Sequence, residues 1–181
     1  FNLDGITSIA SGVFCASGLE SIHFPASVQS IGMNAFISMK NLKTISVAKD
    51  FNADLRWGMP GCTAIESITV EEGNTRFDSR DNCNALIQTE SGNAFLLVGS
   101  KNAFIPNGVT IVGPYSFMNM PISEDLVIPS SVKHIIGYAF AGTTLKSITC
   151  HSVAPPAIDE SVFTDVDTST PVYVPTNSIS G

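Results

Sequence analysis

The sequence predicts a β-rich repeat solenoid, and three observations carry that expectation. The first is a six-residue strand motif at a fixed period. Leu19-Glu20-Ser21-Ile22-His23-Phe24, Leu42-Lys43-Thr44-Ile45-Ser46-Val47 and Ile65-Glu66-Ser67-Ile68-Thr69-Val70 follow at intervals of 23 residues. Leu145-Lys146-Ser147-Ile148-Thr149-Cys150 repeats the motif near the C-terminus. The second is the phenylalanine spacing, 22 residues from Phe14 to Phe36 and 23 at each step from Phe117 to Phe140 to Phe163. The third is composition. Charged residues make up 14% of the 181 positions, where about 25% is usual. Ser, Thr and Asn take the surface instead, which suits stacked strands better than helices. Hydrophobic residues reach 44%, too many for a disordered chain.

Each unit opens with a strand that a proline ends. Pro lacks an N–H and is excluded from central ladder positions. Pro25, Pro106 and Pro129 each stand three residues before a Val, and Pro175 follows the last strand. A return segment comes next, marked by an apolar residue, then Ile or Val, then Phe. The copies are Ile6, Ile9 and Phe14; Val28, Ile31 and Phe36; Val109, Val112 and Phe117; Val132, Ile135 and Phe140; and finally Ile158 and Phe163. These phenylalanines are expected to stack into an interior spine. Position 59 holds Met59, so residues 51–64 form a degenerate copy, with Arg56-Trp57-Gly58-Met59-Pro60 its least regular stretch. Strands are expected near 19–24, 42–47, 65–70, 101–105, 125–128, 145–150 and 171–174. At about 4.8 Å per rung they make a parallel sheet about 30 Å long. The period fails between Val70 and Pro106. There a polar stretch from Glu71 to Asn84 precedes two apolar runs, Ala85-Leu86-Ile87 and Ala94-Phe95-Leu96-Leu97-Val98. Glu90-Ser91-Gly92-Asn93 joins them, which predicts a β-hairpin. Residues 1–181 thus read as a single solenoid domain with a non-repeat hairpin insertion near 71–99.

Several function classes are disfavoured. A net charge of −7 argues against a nucleic-acid partner held by basic residues. No basic cluster grips an anionic membrane, and no apolar run approaches the roughly 18 residues of a spanning helix. No signal segment opens the chain, and Phe1 is not a natural start, so a trimmed or processed piece is expected. Cys15, Cys62, Cys83 and Cys150 lack CxxC spacing and sit in or beside apolar positions, which predicts buried free thiols. No nucleophile elbow or HExxH supports catalysis by His23, His134 or His151, and an enzyme is not expected. Asp78, Asp81, Asn82 and Asn84 invite a calcium reading. Their spacing is not an EF-hand, and Asp and Asn also close turns on their own backbone. No metal and no cofactor is assigned.

Aligning the strands at their corners puts His23, Ser46, Thr69, Phe104, Val127, Thr149 and Tyr173 in one outward column of the concave sheet. Repeat arrays bind macromolecules on such surfaces, and Phe104, Val127 and Tyr173 are apolar where exposure is expected. β-Branched and aromatic residues also suit strands, and a neighbouring domain could cover them. A second outward column holds Glu20, Lys43, Glu66, Lys101, Glu124 and Lys146, whose sign alternates at every step. Stacked in register, each charge stands between opposite ones and a slipped rung is penalised.

These patterns resemble the BspA-like leucine-rich repeat family. The match is Ile-Pro-x-x-Val-x-x-Ile-Gly-x-x-Ala-Phe, as in Phe24-Pro25 through Phe36 and Ile128-Pro129 through Phe140. The Gly73-Asn74 to Ile87 stretch and the ending from Ala154-Pro155-Pro156 to Val172-Tyr173-Val174-Pro175 also resemble family segments. Ile136 departs from the pattern, which has Gly there. The resemblance implies a right-handed leucine-rich-repeat solenoid and a secreted or surface-anchored protein, without catalytic residues to carry over. It implies a monomeric adhesion module whose partner is a protein or glycan on a host or neighbouring cell. The alternatives are a structural spacer with no ligand and, more distantly, a glycan or peptide hydrolase.

Overall fold

The computed structural model describes residues 1–56, 59–122 and 124–178. Its strands in chain order are β1 (Ser8–Ile9), β2 (Ser21–Phe24), β3 (Ser30–Ile31), β4 (Thr44–Val47), β5 (Ser67–Val70), β6 (Phe77–Asp78) and β7 (Ala85–Glu90). They continue with β8 (Asn93–Gly99), β9 (Ile111–Val112), β10 (Asp125–Ile128), β11 (His134–Ile135), β12 (Ser147–Cys150) and β13 (Val172–Tyr173). The chain is a β-solenoid with parallel sheets, and its described residues contain only two short 3-10 turns as helix.

The repeat motif sets the ladder strands in register. Ile22, Ile45 and Ile68 stand side by side across β2, β4 and β5, as do Leu126, Ile148 and Val172 across β10, β12 and β13. In β2 the second and fourth side chains are buried and the first faces out, and β4 repeats this. That is the period-two alternation of a half-buried strand. The proline corners form as expected. Val28, Val109 and Val132 donate their N–H groups to the carbonyls of Pro25, Pro106 and Pro129 at 3.1 to 3.3 Å. In the degenerate unit Phe51 donates to Ala48 in the same way.

The Phe-bearing turns share one backbone device. The residues two before and two after Phe14, Phe36, Phe117 and Phe140 are left-handed: Gly12 and Ala16, Asn34 and Ser38, Tyr115 and Asn119, Tyr138 and Gly142. Met59 is buried, and Gly61 two residues later is left-handed as well. The degenerate copy therefore keeps the turn while losing the aromatic ring; Trp57 and Gly58 lie outside the described residues. Ile136 is tolerated in place of Gly because its N–H still reaches Val112 O at 2.9 Å while its side chain points outward.

Four expectations need correction. First, residues 101–105 form no strand. Lys101 N–H still reaches Ile65 O of the preceding rung at 3.1 Å, but beyond it the backbone is drawn to the insertion: Ala103 N–H goes to Ser100 O and Phe104 N–H to Cys83 O at 3.2 Å. The ladder is therefore two three-stranded sheets, β2-β4-β5 and β10-β12-β13, rather than one sheet of seven rungs. Second, the expected hairpin forms between β7 and β8, but it is woven into the repeat rather than lying outside it. Ser91 and Gly92, both left-handed, close a two-residue turn between β7 and β8, the geometry that matches strand twist. Strand β8 then pairs in parallel with β9, Leu96 beside Val112, and Gly113 N–H reaches Leu96 O at 2.9 Å. That bond repeats the one from Gly32 N–H to Ile9 O, so β8 is the return segment of its own turn.

Third, the aromatic spine is broken. Phe14 stacks on Phe36, and Phe117, Phe140 and Phe163 stack at 5.2 and 5.6 Å, but among the described residues no ring joins the two runs. The core follows the same division into two apolar clusters, one holding Leu86 and Val98, the other Ile87 and Leu96. The hairpin thus feeds both. Fourth, Cys15 is exposed, and the other three thiols are buried and free. Burial pushes the Cys62 thiol up to about 11.

Candidate binding face

Strand register decides which predicted site residues meet. His23, Ser46 and Thr69 lie side by side across β2, β4 and β5. Val127, Thr149 and Tyr173 do so across β10, β12 and β13. Phe104 lies in the break between the two rows. The structure therefore brings the seven together as two rows of three with one residue between.

The two rows differ in chemistry. The first is polar and partly spoken for: His23 Nδ1 and Ser46 Oγ are 2.9 Å apart, and both side chains are half-buried. This pair ties neighbouring rungs together. Thr69, next in the row, is exposed. The second row, with Phe104 beside it, is more apolar and open. Phe104 is 50% exposed, Val127 41% and Tyr173 58%, with Thr149 half-buried among them. Phe104 and Val127 share a cavity of about 320 Å³ with Ala103, Ile122 and Asp125. His134 and His151 stand exposed on other segments.

Sequence reasoning missed two features of this face. Val172 and Val174 are also exposed beside Tyr173. They adjoin an apolar cavity of about 420 Å³ lined by Ile128, Cys150, Ile158 and Phe163. Among the described residues strand β13 pairs only with β12, so side chains that an inner strand would bury stay open; nothing in the local pattern separates an end strand from an inner one. The second feature is Asn84. Its Oδ1 accepts from Ile68 N–H at 2.8 Å and its Nδ2 donates to Glu66 O at 2.7 Å. One side-chain amide stands in for the peptide group of the missing strand. The acidic loop before it is likewise engaged in turns, with Asp78 gripped by Arg80 at 2.6 and 2.8 Å.

The alternating charge column forms in part. Lys43 pairs with Glu20 at 3.2 Å, and Lys101 pairs with Glu66 at 2.6 Å although 35 residues separate them. The hydrogen bond from Lys101, with smaller help from Lys43, holds the Glu66 carboxyl below its ordinary value. Lys146 and Glu124 meet through their backbones instead, N–H to O at 3.3 Å. Lys43→Glu is expected to lower the melting midpoint more than Lys40→Glu, an exposed lysine outside the column. Adding Glu20→Lys and Glu66→Lys recovers part of the loss, and 1 M salt shrinks both effects. A triple variant no more stable than Lys43→Glu would remove the ladder as a register device.

Comparison with known proteins gives the family. A family model described as the BspA type leucine rich repeat region matches residues 7–94 and 88–180, with six copies. No curated protein matches the chain. Among solved structures the chain is similar to a leucine rich cell surface protein from Faecalibacterium prausnitzii. Identity there is 14%, coverage is 93% of this chain and 83% of that one, and the TM-score is 0.43. It is also similar to a leucine-rich repeat protein from Eubacterium ventriosum, at 16% identity, 82% and 59% coverage and a TM-score of 0.45. A third is the pneumococcal vaccine antigen PcpA, at 17% identity, 95% and 58% coverage and a TM-score of 0.42. The chain spans less than two thirds of the second and third of these proteins. With the family model covering nearly its whole length, on strands that stack in the register the repeats demand, the chain belongs to the BspA-type leucine-rich repeat family.

Proposed function

We propose that residues 1–181 act as one extracellular or cell-surface binding module. It engages a protein or glycan on a host or neighbouring cell through its ladder face, with Phe104, Val127 and Tyr173 as the contact centre. The observation that carries this reading is the exposed apolar row itself. Phe104, Val127 and Tyr173 stand open along the ladder, and Val172 and Val174 beside Tyr173 extend the apolar surface. Clustered exposed apolar groups mark interaction sites, and aromatic anchors with a polar rim dominate binding energy. Membership of a repeat family that presents extended surfaces to macromolecules supports it further. No helix of the described residues is long and apolar enough to cross a membrane.

The test is a screen of the chain against immobilised matrix proteins and a glycan array, repeated with Val127→Asp and Tyr173→Ala. Each variant is expected to weaken the captured partner about tenfold or more, as hot-spot residues do. Binding by the wild type that both variants retain would place the contact elsewhere. Uniform absence of binding would favour the spacer reading.

A further inference from the structure

Where the ladder breaks, strand β5 keeps an open edge. In a parallel ladder the peptide groups of alternate residues point to opposite neighbours. Ser67 and Glu71 send their N–H groups back to Lys43 O and Val47 O of the preceding rung. Ile68 and Val70 therefore direct theirs the other way, into the break. The first position there is filled, because the Asn84 amide takes Ile68 N–H and Glu66 O. The next position is Ile68 O together with Val70 N–H, and neither bonds any group among the described residues. One residue of an extended strand offers the N–H and C=O that this pair requires.

Space lies beside it. A cavity of about 510 Å³ runs along β5, walled by Ser67, Thr69, Ser79, Asn82, Asn84 and Asn102. The Ile68 side chain is buried in the core, so Ile68 meets the cavity with its backbone. Ser67, Thr69, Asn82 and Asn102 make no side-chain hydrogen bond within the described residues, which leaves uncharged donors and acceptors around the edge. Asn102 also borders the cavity of Phe104 and Val127 on its other side.

We propose that this notch is a peptide-docking site in which an extended segment of a partner protein, carrying small or uncharged polar side chains, adds as a short strand to β5. Strand addition of this kind takes affinity from main-chain bonds and specificity from the side-chain pockets. The lining favours such a segment over an acidic or basic one, since none of the six walls is charged. The proposal rests on the reading of the ladder face as a binding surface and names one subsite of it.

A phage-displayed random heptapeptide library, selected on the 181-residue chain, tests the idea. Enriched peptides are resynthesised and measured against wild type, Asn102→Trp, which fills the notch, Tyr173→Ala in the proposed contact centre, and His151→Ala, an exposed residue on another segment. The expected result is at least tenfold weaker binding to Asn102→Trp and unchanged binding to His151→Ala. A scan of the peptide with N-methylated residues is expected to give one position that loses tenfold or more, because only one N–H is needed by Ile68 O. Peptides insensitive to every N-methyl group would overturn strand addition whatever the fate of the Trp variant. Peptides lost on Tyr173→Ala but kept on Asn102→Trp would overturn the notch while leaving the ladder-face reading intact. Notch-dependent peptides alongside matrix binding untouched by Val127→Asp and Tyr173→Ala would uphold the notch and displace the apolar row.

Discussion

Phe140→Ala is expected to cost about 3–5 kcal/mol in a denaturant titration. Phe140 is fully buried and carries a ring on each face, Phe117 at 5.2 Å and Phe163 at 5.6 Å, both near parallel. Truncation removes the transfer free energy of the ring and leaves a cavity. The neighbours cannot close it, because each is held in place by backbone bonds between successive turns of the solenoid, such as Phe117 N–H to Ala139 O at 2.8 Å. Phe36→Ala belongs in the same range, since Phe36 is equally buried and stacks on Phe14. The control is Phe104→Ala. Half of that side chain already faces water, so its loss should stay within about 1 kcal/mol. Equal losses at Phe104 and Phe140 would mean that the inward and outward columns are misassigned.

Gly99→Ala is expected to be nearly as damaging, and for the opposite reason. A Cβ on Gly99 would lie 1.9 Å from one ring carbon of Phe117 and 2.5 Å from another. Phe117 is buried against Phe140 on its other side, so the ring has no free direction in which to retreat. Overpacking a filled core costs roughly 1–3 kcal/mol and sometimes more, and a contact this short belongs at or above the top of that range. The remedy identifies the cause. Phe117→Leu in the Gly99→Ala background should recover part of the loss, while Phe117→Leu alone destabilises. A Gly99→Ala protein within about 1 kcal/mol of wild type would show that the ring is not what requires glycine there.

Periodicity made much of this molecule legible. Ladder register was readable because the side-chain alternation of a strand and the 23-residue interval are both local properties of the chain. Any slip would turn Ile22, Ile45 or Ile68 out to water. The corners at Pro25, Pro106 and Pro129 were readable for the same reason, since a missing N–H excludes a residue from the ladder whatever surrounds it. The seven-residue outward column was correct in its two in-register rows, which fixed His23 beside Ser46 and Val127 beside Thr149.

What the sequence could not decide lies around the insertion. Residues 101–105 carry a strand-like pattern, yet after Lys101, whose N–H still reaches Ile65 O, the N–H groups of Ala103 and Phe104 found partners in Ser100 and Cys83 rather than in a neighbouring rung. The vacated ladder position went to the Asn84 amide, and a side chain acting as a peptide group leaves no periodic mark. Gly99 likewise looks like any strand glycine until the ring of Phe117 is placed against it. The sequence by itself determined which faces of each repeat are buried, because hydrophobic burial acts on every unit in the same way. Only the tertiary structure decided where the stack breaks, because that depends on which of several competing partners satisfies each buried backbone group.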